Sequence, residues 1–180
     1  GAAKALASEG YVGSGFRSNG HHPAGGLGDT LPIIQANFRQ TRDVSANCID
    51  ALVAANDPAV MFVRGGAIAR VRPDEKGRPI IDDINEAMLT GRLTRTADFH
   101  RVSPRGKSYS SPPPQEVVRD LLAMGEWPFP ALEGVIEVPA LRPDGSILNT
   151  PGYDLATGLM YLPDPTLVIP PIPEYPTPRE

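Results

Sequence analysis

The stretch that most closely resembles a ligand-binding motif is Pro104-Arg105-Gly106-Lys107-Ser108. A nucleotide-binding phosphate loop ends in Gly-Lys-Ser or Gly-Lys-Thr, because its backbone amides and its lysine cradle phosphate groups. Such a loop also needs a glycine five positions before its last glycine, and Arg101 occupies that position here. We therefore interpret the stretch as a basic wing, a turn that presents cationic side chains, and we do not expect the chain to hydrolyse ATP.

A few further side chains have nucleophilic, acid–base or metal-binding chemistry. Cys48 falls on the apolar face of a predicted helix, so it is expected to be a small buried hydrophobe. His21 and His22 are adjacent in a glycine-rich stretch that offers no third ligand, which is typical of exposed histidines. His100 lies in a predicted strand and is expected to be structural. The sequence therefore predicts no catalytic residue, no metal site and no cofactor, and the chain is not expected to be an enzyme.

The remaining candidate chemistry is phosphate binding by arginine, whose planar guanidinium group suits phosphate. The candidate nucleic-acid-binding residues lie on predicted strands and near a predicted helix end: Arg64, Arg70, Arg72, Arg92, Arg95 and Arg101. By strand alternation Arg70 and Arg72 share one face, and with Arg64 on the partner strand they would form a basic ridge. Such a ridge can grip phosphates, and it can equally protect a strand against aggregation. Arg92 and Arg95 also suit a helix C-terminus without any ligand, because cations complement the helix dipole there.

Charge is distributed unevenly along the chain, whose net charge is −4. Residues 39–107 carry twelve Lys or Arg against nine Asp or Glu, a net charge of +3, whereas residues 108–180 carry three against ten, a net charge of −7. A basic segment suits contact with nucleic acid, and an acidic one suits contact with a partner or with solvent. Interspersed charges of this size are also typical of an ordinary solvated surface.

Composition predicts one domain flanked by linkers. Residues 1–30 are rich in glycine and poor in apolar side chains, which predicts a flexible linker, and residues 163–180 are rich in proline, which predicts an extended one. Between them, residues 31–162 are expected to form a single α+β domain. The lone cysteine excludes an intrachain disulfide bond, and no apolar run approaches the ~20 residues of a membrane span. We therefore expect a cytoplasmic protein.

Three helices are expected within that domain, because apolar side chains recur at helical spacing. They are residues 45–55 with Asp43 or Ser45 as N-cap, a helix that ends at residue 94 after a cap at Asp82 or Asp83, and residues 115–124. Gly65-Gly66 between two apolar runs predicts a β-hairpin, and the turn-rich residues 134–162 predict a C-terminal β meander. Trp127 and Phe129 are expected to be core anchors between the third helix and this meander. They are also the candidate partner-contact residues.

Several stretches carry a family resemblance. They are Phe38-Arg39-Gln40-Thr41-Arg42-Asp43, Ala54-Ala55-Asn56-Asp57-Pro58, Phe62-Val63-Arg64-Gly65-Gly66-Ala67, Glu126-Trp127-Pro128-Phe129-Pro130, Leu141-Arg142-Pro143-Asp144-Gly145, Pro151-Gly152-Tyr153-Asp154 and Ala156-Thr157-Gly158-Leu159. Together they resemble the region just upstream of the ATPase domain in phage- and mobile-element-encoded DNA primase/helicase proteins, over about residues 33–180. The resemblance implies a non-catalytic accessory or connector domain between a primase module and a helicase ATPase domain, and it supplies no catalytic residue.

Two functions of different classes follow. In the first, the domain assists DNA engagement through the six arginines, and the DNA affinity falls as salt rises. In the second, it is a protein–protein interaction or oligomerisation module without nucleic-acid contact, which packs against the adjacent primase and helicase domains or against a second copy. The acidic residues 108–180 and the surface around Trp127 and Phe129 are the contact candidates of the second function.

Overall fold

The computed structural model describes residues 30–164 and residue 166. These residues confirm the predicted α+β class, since they contain three helices and eleven short strands arranged in small sheets. The elements are β1 (Ile33–Gln35), α1 (Thr41–Ala54), β2 (Phe62–Arg64), β3 (Ala67–Pro73), β4 (Pro79–Asp83), α2 (Glu86–Thr96), β5 (Asp98–Val102), β6 (Ser108–Ser110), α3 (Gln115–Ala123), β7 (Gly134–Ile136), β8 (Ala140–Leu141), β9 (Ile147–Leu148), β10 (Gly152–Asp154) and β11 (Leu159–Tyr161). The two predicted linkers, residues 1–30 and 163–180, lie almost entirely outside the described residues.

Helix α1 begins four residues before its predicted start. Its N-cap is Gln40, whose side chain makes no capping hydrogen bond, so the predicted caps Asp43 and Ser45 are wrong. Asp43 lies inside the first turn, and the Ser45 hydroxyl donates to Asp120 Oδ2 on α3 at 2.5 Å. Ser45 is therefore buried as a link between two helices.

Helix α2 begins after Asn85, whose side-chain oxygen accepts a hydrogen bond from the Met88 backbone N–H at 3.0 Å. The predicted caps Asp82 and Asp83 are wrong, because both residues belong to β4, where they pair with β3. Helix α3 spans nearly the predicted residues. Its amphipathic spacing and the preceding prolines explain that agreement.

The main apolar core is formed by the three helices, the strands β1, β2, β3 and β5, and nearby loop residues. That core contains Ile34, Val44, Cys48, Ala51, Leu52, Met61, Ile68, Leu89, Leu93, Ala97, Phe99, Val117, Val118, Leu121, Trp127 and Phe129. A second cluster of Phe62, Leu132 and Met160 lies under the C-terminal strands. Sheet β2–β3–β4 separates the two clusters, since Ile68 faces the first cluster and Val71, three residues later, faces the second.

Trp127 and Phe129 are buried, with exposed fractions of 9% and 7%. The Trp127 Nε1–H donates to the Leu121 carbonyl oxygen at 2.6 Å, so Trp127 anchors α3 as predicted. Both rings belong to the helical core rather than to the cluster under the C-terminal strands, so the predicted anchoring of α3 to the β meander through these rings is wrong. Because both rings are buried in the core, the two predicted partner-contact residues do not present an exposed surface in this structure.

The turn-rich C-terminal segment forms the expected strands and turns. Gly145 N–H donates to the Arg142 carbonyl oxygen at 2.9 Å, which closes the predicted turn and joins β8 to β9. Strands β10 and β11 form a second antiparallel hairpin. Strand β7 pairs in parallel with β11, an arrangement that the meander prediction did not include.

Candidate nucleic-acid interface

The predicted ridge of three arginines does not form. Arg64 lies directly opposite Ala67 in the β2–β3 pair. Residues opposite each other share a face of the sheet, and Ala67 is an odd number of residues from both Arg70 and Arg72. Arg64 therefore lies on the opposite face of the sheet from the other two arginines.

Arg70 and Arg72 are held by one carboxylate on the neighbouring strand. Arg70 Nη2 lies 3.7 Å from Asp82 Oδ2, and the Arg72 Nε–H donates to the same oxygen. Arg72 Nη1 also donates to the Pro73 carbonyl oxygen at 3.1 Å. These contacts tie β3 to β4, so a charge reversal of the two arginines would change the sheet as well as any phosphate contact.

Arg92 and Arg95 occupy the C-terminal half of α2. Arg92 Nη2 donates to the Ala55 carbonyl oxygen at 2.7 Å and so joins α2 to the end of α1. Burial lowers the pKa of Arg92, and the nearby charge of Arg95 lowers it further. Arg95 is exposed, and its guanidinium donates to the Gly91 carbonyl oxygen of its own helix. Arg92 thus has a structural role, whereas Arg95 presents its charge to solvent.

Arg101 lies on a hairpin that presents further basic side chains. We call residues 99–110, which contain most of β5, the connecting turn and β6, the β5–β6 wing. Arg101 pairs with Tyr109 across the two antiparallel strands, so the two side chains share a face. Both are exposed, Tyr109 with an exposed fraction of 49%. The acidic Asp98 at the start of β5 lies on the other face, because it is three residues from Arg101.

The turn of the wing is fixed by its own hydrogen bonds. Gly106 N–H donates to the Ser103 carbonyl oxygen at 2.9 Å, and Ser103 N–H donates to the Lys107 carbonyl oxygen at 2.9 Å. Gly106 has a φ of 81°, a conformation that favours glycine. Arg105 and Lys107 are exposed, and within the described residues their side chains form no ion pair.

The base of the wing is attached firmly to the core. Phe99 is buried among the helices. The Asn37 amide bonds the backbone of Val102 twice, accepting from its N–H at 2.8 Å and donating to its carbonyl oxygen at 2.9 Å. His100 Nδ1 and Ser108 Oγ lie 3.0 Å apart, which adds a link between β5 and β6. The wing therefore presents its side chains from a defined backbone.

Of the six predicted arginines, only Arg101 lies on the wing, so the structure does not bring the set together. The sequence pointed to Arg105 and Lys107 as a basic turn without including them in the predicted set, and it missed Tyr109. The sequence does contain a signal for a basic surface here, because residues 99–115 contain three Lys or Arg and no Asp or Glu.

The described residues offer little other chemistry. No group of three His, Cys, Asp or Glu side chains gathers there in a way that could hold a metal ion. Burial raises the pKa of Cys48 to about 12, against a smaller opposite effect of Arg39, so the thiol is protonated at neutral pH. No helix in this part of the chain has the length and apolar character needed to cross a membrane.

Comparisons of the chain with protein-family models, with curated proteins and with solved structures found no match. No residue role is therefore transferred from a relative.

Proposed function

We propose that the chain is a non-catalytic accessory or connector domain of a phage- or mobile-element-type DNA primase/helicase and that it assists DNA engagement in the cytoplasm. The observation that carries the proposal is the β5–β6 wing, which exposes Arg101, Arg105 and Lys107 on a firmly attached hairpin. The stretches that resemble the primase/helicase region supply the biological context. Catalysis is assigned to the neighbouring domains of such a protein.

The wing has the properties that phosphate binding requires. Lys and Arg bind the nucleic-acid backbone by neutralising phosphates and releasing counterions. A cation that already pairs with a carboxylate gains less from a phosphate, and within the described residues none of the three cations on the wing forms an ion pair. By contrast, Arg70 and Arg72 share Asp82. The wing is therefore the better phosphate-binding surface.

Neutralisation of the turn tests the proposal. The double variant Arg105→Gln/Lys107→Gln should bind a fluorescent oligonucleotide about ten- to a hundredfold more weakly at about 50 mM salt, because each lost phosphate contact costs about tenfold there. The matched control, Arg64→Gln/Lys76→Gln, removes the same charge from two exposed positions outside the wing. We expect its affinity to stay within about twofold of the wild type, measured by fluorescence anisotropy. An equal loss in both variants, or no loss in the wing variant, would contradict the proposal.

A second candidate function, a protein–protein interaction module, is favoured by one specific observation. Leu141 and Ile147 pair across β8 and β9 with exposed fractions of 74% and 57%, so together they form an exposed apolar patch. Residues 131–164 carry five acidic side chains and one basic side chain, a net charge of −4. This patch suits a neighbouring domain with an apolar, basic surface, whereas a second copy would bring two acidic surfaces together.

A further inference from the structure

We infer that the β5–β6 wing binds single-stranded nucleic acid, with a base stacked on Tyr109 and the adjacent phosphates held by Arg101, Arg105 and Lys107. This inference rests on the proposed function and adds the form of the nucleic acid. Its starting point is the cross-strand pair of Arg101 and Tyr109, which places an exposed aromatic ring and an exposed cation on one face of the hairpin.

Tyr109 differs from the other tyrosines that the structure describes. Tyr161 is buried, and Tyr153 packs its ring against Phe62 and donates its hydroxyl hydrogen bond to the Ala131 carbonyl oxygen at 2.7 Å. Within the described residues, Tyr109 has neither an aromatic neighbour nor a hydrogen bond for its hydroxyl group. Among the described tyrosines, Tyr109 therefore has the ring that is most available to a ligand.

The neighbouring residues leave the ring accessible. Strand β6 is an edge strand, and all three of its residues are exposed. Ser108 and Ser110 flank Tyr109 and point to the other face, as strand alternation requires. No large side chain of β6 therefore competes with a base for the Tyr109 ring.

The combination of a ring and cations favours a single strand over a duplex. Successive bases of a single strand stack on aromatic side chains while a basic surface follows the backbone, and the stacking tolerates any base. In a duplex the faces of the bases are already stacked on each other, so the Tyr109 ring would have no base to receive. A duplex would contact only the cations of the wing.

Two single strands with the same number of phosphates, one with bases and one without, distinguish the contribution of base stacking to binding from the contribution of charge. The full chain is titrated with labelled oligothymidylate of about 12 nucleotides and with an abasic strand of the same length. We expect oligothymidylate to bind about five- to a hundredfold more tightly, because one stacked base is worth that much in affinity. A duplex of the same length should bind more weakly than oligothymidylate.

Substitutions of Tyr109 test whether its ring causes the preference for oligothymidylate over the abasic strand. Tyr109→Ala should remove the difference between the two single strands, and Tyr109→Phe should keep it, since stacking needs the ring and not the hydroxyl group. Phe38→Ala is the matched control, because Phe38 is an exposed aromatic residue outside the wing.

The outcomes separate this inference from the proposed function. Equal affinity for the two single strands, combined with a loss of binding in Arg105→Gln/Lys107→Gln, would overturn the inference and leave the proposed function supported. A preference for oligothymidylate that survives Tyr109→Ala would also overturn it. No binding of any oligomer would overturn both.

Discussion

At the scale of single residues, Asp154 is bonded through both of its carboxylate oxygens. Oδ1 accepts from Arg142 Nε and Nη2 at 3.0 and 2.9 Å, and Oδ2 accepts from the Thr157 backbone N–H and hydroxyl at 3.1 and 2.7 Å. The Arg142 and Thr157 side chains lower the pKa of Asp154. This residue connects the β8–β9 hairpin to the β10–β11 turn.

The lowered pKa of Asp154 predicts how acid affects stability. Because its carboxyl group has a lower pKa in the folded chain than in the unfolded chain, ionised Asp154 stabilises the fold at neutral pH. That stabilisation is lost as the pH falls below about 4, the usual pKa of an aspartate, towards the lower folded value. Asp154→Asn should therefore be less stable than the wild type at about pH 7, and the difference should shrink towards about pH 2.

Urea unfolding at both pH values measures this difference. Hydrogen bonds also lower the pKa of Asp74 and Asp144, so the wild type should lose stability in acid for several reasons. The informative quantity is the gap between the variant and the wild type. Asp50→Asn, an exposed position on α1 outside any ion pair of the described chain, is the control. A gap of the same size at both pH values would contradict the role assigned to Asp154.

At the scale of elements, Trp127 is one of the residues that hold α3 in place. Its indole N–H satisfies the Leu121 carbonyl near the end of that helix, and its ring is buried in the helical core. Trp127→Phe should keep most of the apolar contact and leave the carbonyl without this donor, which should lower the free energy of unfolding by about 1–3 kcal/mol. Urea unfolding measures the loss. Tyr109→Phe, which removes an exposed hydroxyl group, should change stability by no more than about 0.5 kcal/mol.

The helices and the β2–β3 hairpin differ in how closely the sequence predicted them. The spacing of apolar residues predicted α3 closely, because the prolines that precede it and the apolar residues that it buries lie within one short stretch of sequence. The start of α1 was missed because the Gln40 side chain gives no capping signal, and the start of α2 was missed because Asp82 and Asp83 extend β4. The position of Arg64 was predictable in principle. A two-residue Gly65-Gly66 loop makes Arg64 the partner of Ala67 and so places it away from Arg70.

At the scale of the whole molecule, sheet β2–β3–β4 divides the chain into a helical part and a C-terminal strand part. The α+β class was predictable from local patterns. The parallel pairing of β7 with β11 was not, because it joins residues about 25 positions apart that no local turn connects. The candidate site was missed for a different reason: the pairing of Arg101 with Tyr109 is local, but its register depends on where the turn at residues 103–107 closes, which the sequence pattern did not fix.

The two parts of the molecule also differ in charge. The basic wing lies on a sheet attached to the helical core, whereas the C-terminal strands are acidic and carry the exposed Leu141 and Ile147. Like charges on nucleic acid and on the C-terminal strands should repel, so a bound strand is expected to follow the wing away from the acidic part. The proposed DNA contact and the alternative protein contact therefore use different surfaces.

The most direct test of the proposed DNA engagement is the salt dependence of oligothymidylate binding by the full chain. If Arg101, Arg105 and Lys107 each neutralise one phosphate, the logarithm of the association constant should fall with the logarithm of the salt concentration at a slope of about −2. The slope should decrease in magnitude to about −0.7 in Arg105→Gln/Lys107→Gln. Absence of binding even at low salt, or binding that salt does not change, would contradict the account and favour the protein–protein interaction module.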